Sequence, residues 1–228
     1  MESNNIGTIL HKVMEEYFIW LKERRMDNMT IDIVDDKLML EKVDELTDEA
    51  SKDFSDTIFD SSFRMKHQID VIKRIAYRSV KNLMRHLEEA DMTPEYFEFS
   101  FSPEDDIPYT HMKLDNDVNM GLKGIIDRVD IKETEDTVYV KVIDYKSGEK
   151  DLDFTKIAEG KQLQLTVYLS VMMDILRKTY PDKKIVPVGM FYFQMADKIA
   201  EGISEDEIEL DRMKKSRMSG AANKDDRC

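Results

Sequence analysis

A chain of 228 residues and 26.8 kDa is long enough to bury a substantial core, and 41% hydrophobic with 36% charged residues is the balance of a charge-rich globular chain rather than a disordered one. The net charge of −14 argues against a general nucleic-acid coat, which rests on surplus Lys and Arg; it leaves room for a nucleic-acid enzyme, because metal-binding carboxylates count as negative here and are neutralised by their ion. No stretch reaches the roughly 20 apolar residues of a membrane helix, the first residues lack the pattern of a secretion signal, and the one cysteine, Cys228, leaves no disulfide or cysteine zinc site within the chain, so a cytoplasmic protein is expected.

Ile6, Ile9, Leu10, Val13, Met14, Tyr17, Phe18 and Leu21 recur at three- and four-residue steps, which predicts an amphipathic helix over 6–26, with Ser3, Asn4 and Asn5 as caps before it. Residues 27–60 are acidic, helical in tendency and broken by Asp and Thr. They read as a peripheral insertion, and with the long amphipathic helix expected over 63–90 they make 27–92 a helical insertion. In that second helix Arg64, Lys66, Lys73, Arg74, Arg78, Lys81 and Arg85 outnumber the acids. A solvated face is the plain reading and a track for a phosphate backbone the sharper one.

After Pro94 the period changes to that of strands. YFEFSF (96–101), KGIIDRVDI (123–131) and TVYVKVIDYK (137–146) alternate as strands do, and the polar ETED between the last two suits a hairpin. Gly160 opens a further helix, KQLQLTVYLSVMMDILRKTY, stopped by Pro181, and VPVGMFYFQ (186–194) is a final strand. The segment 196–228 is a charged, weakly folded tail. Helices followed by strand, strand, strand, helix, strand specify a mixed α/β (α+β) layer fold, with a central mixed sheet over 93–195 flanked by helices.

Asp127 sits in an otherwise apolar strand, where a carboxylate is costly without a partner. Asp144 and Lys146 end the next strand two residues apart, hence on one face. If the strands pair, Asp127 lies beside Asp144, and two carboxylates held together are commonly reconciled by a divalent cation, with a lysine to orient water and offset charge on a phosphate. The competing reading makes Asp127, Arg128 and Asp130 a surface salt-bridge stripe and DYKSG a strand end and turn. Gln164 and Tyr168, four apart on one helix face, are either a hydrogen-bonded amide and phenol packed on the sheet or a contact to a nucleic-acid strand or to the outer shell of the metal. His11, between Leu10 and Val13, is either a packed core residue or the imidazole of an oxygen-rich metal site.

G-T-I-L-H (7–11), G-I-I-D-R-V-D (124–130), I-D-Y-K-S-G (143–148) and Q-L-Q-L-T-V-Y (162–168) in this order resemble the PD-(D/E)XK nuclease superfamily, in its RecB-like branch, and within that branch the C-terminal nuclease domains of the AddB family. The likeness runs from about residue 6 to residue 195, and FYFQMADKIAE (191–201) and RMSGAANKD (217–225) share it.

The resemblance implies one nuclease domain over 1–228, a piece of a longer subunit, acting as a Mg²⁺-dependent deoxyribonuclease, an exonuclease of a helicase-nuclease for double-strand break repair and recombination, with Mn²⁺ able to substitute. It implies His11, Asp127, Asp144 and the Tyr145 carbonyl as metal ligands, and Asp127, Asp144 and Lys146 as the catalytic set. Gln164 and Tyr168 would contact DNA and support the site, and Glu98 would be an acidic helper near the metal. The partners it implies are DNA and a helicase/nuclease subunit of the AddA type. A 4Fe-4S cluster is expected only in the full-length subunit, and Cys228 is given no cluster role. The alternatives are a catalytically inactive module of the same fold that grips DNA or a partner subunit, favoured by the acidic balance, and a free-standing exonuclease of the same branch.

Overall fold

The structure is a computed structural model that describes residues 3–26, 34–52, 63–105, 107, 111–113 and 119–196, and in the tail 201, 204, 207–208, 211, 214–215 and 217–223. The helices are α1 (Ser3–Met26), α2 (Asp36–Lys52), α3 (Phe63–Ala90), α4 (Phe154–Ala158) and α5 (Gln164–Thr179); the strands are β1 (Thr93–Phe101), β2 (His111–Lys113), β3 (Asn119–Gly121), β4 (Gly124–Glu133), β5 (Thr137–Lys146), β6 (Lys184–Gln194) and β7 (Ser219–Ala222). No described helix is long and apolar enough to cross a membrane. The chain divides into two compact units: Met1–Glu89 with Tyr145–Glu149 and Phe193–Arg217, and Ala90–Asp144 with Lys150–Tyr192 and Met218–Cys228.

The first unit is helical. The stripe read from the sequence is its core: Ile9, Leu10, Val13, Met14, Tyr17, Phe18 and Leu21 of α1 are all buried. Asp35 caps α2 by accepting from the Leu38 amide at 2.7 Å, and Met39, Val43, Leu46 and Ala50 face inward. The buried hydroxyls of Thr47 and Ser51 donate to the carbonyls of Val43 and Thr47 four residues back, so their burial leaves no polar group wanting. In α3, Ile72, Ala76, Val80, Leu83 and Leu87 keep the helical spacing and are buried. Two cations on its basic face, Lys73 and Lys81, ion-pair with Asp48 and Asp36 of α2 at 2.7 Å each, which draws them from a phosphate track toward helix–helix pairing. The side chain of Arg64 lies outside the described residues, as do 27–33, 53–62 and Cys228.

The second unit is built on the mixed sheet β1-β4-β5-β6-β7. β1 is antiparallel to β4, β4 to β5 and β6 to β7, and α5 lies in the connection between the neighbouring β5 and β6. Val129 and Ile131 of β4 and Val138, Val140 and Val142 of β5 pack with Leu165, Tyr168, Val171, Met172 and Leu176 of α5 in one core. The small β2–β3 hairpin and β7 add to the expected strands, β7 lying within the 196–228 tail. The start of α5 also differs from the expected one. Gly160, at φ 73°, ends the short α4 rather than opening α5: its amide donates to Ile157 and that of Lys161 to Lys156, a termination that needs a left-handed residue, and α5 begins at Gln164. Pro181 does stop α5 at Thr179.

The salt-bridge stripe is real but buried. Arg128 and Asp130 are fully buried and Lys141 nearly so; Arg128 donates to both Asp130 oxygens at 2.6 and 2.9 Å, and Lys141 donates to Asp130 at 2.8 Å. Burial alone would push the Asp130 carboxyl up; the Arg128 and Lys141 charges and their hydrogen bonds overcome this and hold it at about 2, against an ordinary 3.8. A lowered carboxyl contributes stability that is complete above its unfolded value and is lost as pH falls through its folded value, here between about 4 and 2, and worth roughly 2 kcal/mol. We expect an NMR titration of the Asp130 carboxyl carbon to find a midpoint near the lower of these pH values; a midpoint near 4 would contradict the pairing.

Candidate active site

The strand register builds the site. Asp130 pairs with Lys141 and Arg128 with Ile143 across β4 and β5, and the next step along sets Asp127 across from Asp144. Phe97 pairs with Arg128 and Phe99 with Ile126, which brackets Glu98 opposite Asp127 on β1. Three carboxylates therefore form one row across three neighbouring strands. A ligand oxygen of Glu98 lies within 4.8 Å of one of Asp127. Asp127 and Asp144 share the side of the hairpin that carries Val129, Val140 and Val142 against α5. Both aspartates are buried, at 8% and 1% exposure.

Glu98 is held at φ 41°, one of two described non-glycine residues in the left-handed region. That conformation in mid-strand costs on the order of 1–3 kcal/mol and persists only where the surroundings fix it. It accompanies a register shift between Pro94 and Tyr96 in the same strand.

The α5 pair stands over the row. Gln164 Nε2 donates to the Tyr168 hydroxyl at 3.0 Å, the same-face geometry expected from their spacing. Burial raises the Tyr168 phenol above its ordinary value, the Gln164 hydrogen bond opposes this, and the charges of Asp144, Asp127 and Glu98 raise it further, so one hydroxyl senses all three carboxylates. Gly124 makes room for the ring: a Cβ there would lie 2.8 Å from Phe101 and 3.1 Å from Tyr168, which meet edge-to-face at 5.9 Å. A second phenol, not anticipated from the sequence, belongs here. Tyr192 of β6 is pushed up to about 12 by burial and by Asp144, with the neighbouring Gln162 amide acting against them. Both phenols stay protonated at neutral pH and can donate hydrogen bonds. Gln162 also fixes the loop after β5: its Oε1 accepts from the Asp153 amide and its Nε2 donates to the Asp151 carbonyl, both at 2.8 Å. Within the apolar VPVGMFYFQ run nothing distinguishes Tyr192 from a core aromatic, so only the strand order reveals its place.

The remaining expected residues fall in the first unit. His11 of α1 meets the Tyr145 ring edge-on at 5.8 Å, and Tyr145 meets Phe193 at 6.3 Å. Lys146 closes β5, two residues beyond Asp144, and its carbonyl accepts from the Met195 amide at 2.8 Å. An oxygen-rich carboxylate set with two buried members suits a hard divalent cation.

A PD-(D/E)XK nuclease superfamily family model matches residues 1–226. The chain belongs to this superfamily. It is 31% identical over 224 residues to an ATP-dependent helicase/deoxyribonuclease subunit of Clostridium kluyveri, covering 96% of this chain and 19% of that protein. It is 35% identical over 233 residues to the protein of the same name from Alkaliphilus metalliredigens, covering 99% of this chain and 20% of the relative, and 33% identical over 193 residues to that of Clostridium tetani, covering 85% and 16%. The chain thus spans about a fifth of the length of these curated relatives. Members of the superfamily are nucleases, and Asp144-Tyr145-Lys146 has the residue order of a (D/E)XK triplet.

The left-handed backbone at Glu98 is itself testable. In metal-free buffer Glu98→Gly should be more stable than Glu98→Ala by about 1 kcal/mol, because both remove the carboxylate but only glycine adopts this φ freely; thermal unfolding in EDTA that ranks alanine equal or higher would refute it.

Proposed function

We propose that this chain is the nuclease domain of a larger helicase-nuclease subunit and hydrolyses DNA phosphodiester bonds with a divalent cation, Mg²⁺ by preference and Mn²⁺ as a substitute. The observation that carries the reading is a Glu98 oxygen within 4.8 Å of one of Asp127, with Asp144 at the next step of the β4–β5 register and both aspartates buried, an arrangement that calls for a cation. The name that the relatives bear, which describes a helicase and deoxyribonuclease, supports DNA as substrate.

In this reading Asp127, Asp144, His11 and the Tyr145 carbonyl would hold the ion, with Glu98 supporting from β1. Bound there, the ion would supply Lewis acidity and lower the pKa of an attacking water. Lys146, on the same face of β5 as Asp144, would orient the water and offset the charge that develops on the phosphate. Tyr168, oriented by Gln164, donates toward the carboxylate row and steadies the DNA strand beside it. The reaction is exonucleolytic, leaves a 5′-phosphate and a 3′-hydroxyl, and acts in the cytoplasm on strands unwound with a partner subunit of the AddA type during break repair and recombination. The whole of 1–228 works as one nuclease domain. The net charge of −14 favours a second reading, an inert module of the same fold whose grip on DNA is shared with a partner.

Single-stranded DNA incubated with Mg²⁺ or Mn²⁺ separates the two. Wild-type chain should shorten it, and Asp127→Ala, Asp144→Ala and Lys146→Ala should each slow digestion by about 10²–10³-fold. Equal digestion by all four proteins would reject the assignment; metal binding without cleavage would leave the inert module.

A further inference from the structure

We propose that the buried ion pair between Lys141 and Asp130 is a register key that aligns Asp127 with Asp144, which makes Lys141 a positioning residue for the site. The inference rests on the metal-site reading above and deepens it.

The hydrophobic pattern specifies this register poorly. β4 is buried on both faces from Ile126 to Ile131, and β5 from Val140 to Tyr145. Val138, Val140 and Val142 lie on one side of β5, and Ile143 and Tyr145 on the other with Lys141 between Tyr139 and Ile143. A slip of one residue would exchange one apolar face for another at little hydrophobic cost, yet it would carry Asp144 to the opposite side and set Ile143 or Tyr145 across from Asp127.

The four-residue turn, where the Thr134 amide donates to the Thr137 carbonyl at 2.8 Å, fixes the register at its own end of the hairpin. It does not prevent a bulge between the turn and the site. β1 has such a shift at Pro94 to Tyr96. Asp130 and Lys141 are direct cross-strand partners midway between the turn and Asp127. A bulge there would break the 2.8 Å bond and strand the Lys141 ammonium, 5% exposed, in a buried side of the sheet. The second partner of Asp130 comes from its own strand, two residues away: Arg128 neutralises the aspartate but cannot report on β5. The cross-strand element is Lys141.

That division allows the key to be removed without stranding a charge. In Lys141→Met, Asp130 keeps its two bonds to Arg128, so the 228-residue chain should fold. We expect two sets of amide resonances for β4 and β5 in metal-free NMR spectra, and Mn²⁺ affinity by titration calorimetry at least about tenfold below wild type, with both defects reversed in Lys141→Arg. A merely structural lysine would lower Tm and leave one set of resonances and wild-type Mn²⁺ affinity, and that result overturns the inference. Should Lys141→Met not fold, Lys141→Gln is read by the same two measurements: doubled β4 and β5 resonances with weakened Mn²⁺ binding uphold the inference, and one set with wild-type affinity overturns it. Wild-type chain that takes up no Mn²⁺ would instead defeat the metal-site reading itself, while a doubled spectrum of Lys141→Met would still uphold the register.

Discussion

Like charges on adjacent strands repel, and this chain sets three carboxylates in one row across β1, β4 and β5. Burial makes the repulsion costlier, since Asp127 and Asp144 have little water to screen them. Much of the second unit can be understood as what it takes to hold that row in place: a left-handed backbone at Glu98, a glycine under the Tyr168 ring, two phenols kept protonated beside the carboxylates, and a glutamine that ties down the loop after β5.

The β4–β5 hairpin divides two electrostatic problems between its faces. One side carries Asp127 and Asp144, an excess of negative charge that a cation would balance. The other carries Arg128, Asp130 and Lys141, in which a central carboxylate is met by two cations. Alternation along the strand keeps the sets apart although Asp127 and Arg128 are neighbours in sequence. A buried ion cluster of this kind contributes little net stability compared with apolar residues of the same volume, and its value lies in what it forbids.

The legible parts of the fold were those where one physical rule dominates. The stripe of α1 follows from helical spacing, and the β4–β5 hairpin from two β-rich runs around a polar turn. Asp127 and Asp144 could be paired on paper because residues two apart share a strand face. The DRVD segment was harder: a sequence shows that Arg128 and Asp130 can bond, but their burial depends on both faces of the sheet being covered, which is a tertiary fact. The strain at Glu98 leaves no mark in FEFSF, since φ is set by the neighbouring strand. Tyr192 joins the site through strand order and Gln162 through its bonds to the loop after β5, while a glycine such as Gly160 between two helical stretches can end one or precede the other.

The relatives are named as helicase/deoxyribonuclease subunits, and the carboxylate row gives this chain a reason to hold a cation. The most direct measurement is the anomalous scattering of Mn²⁺ soaked into crystals of the chain. The account predicts a peak about 2–2.5 Å from carboxylate oxygens of both Asp127 and Asp144. Well-ordered carboxylates with no peak between them, or Mn²⁺ bound only at exposed acidic residues, would contradict it.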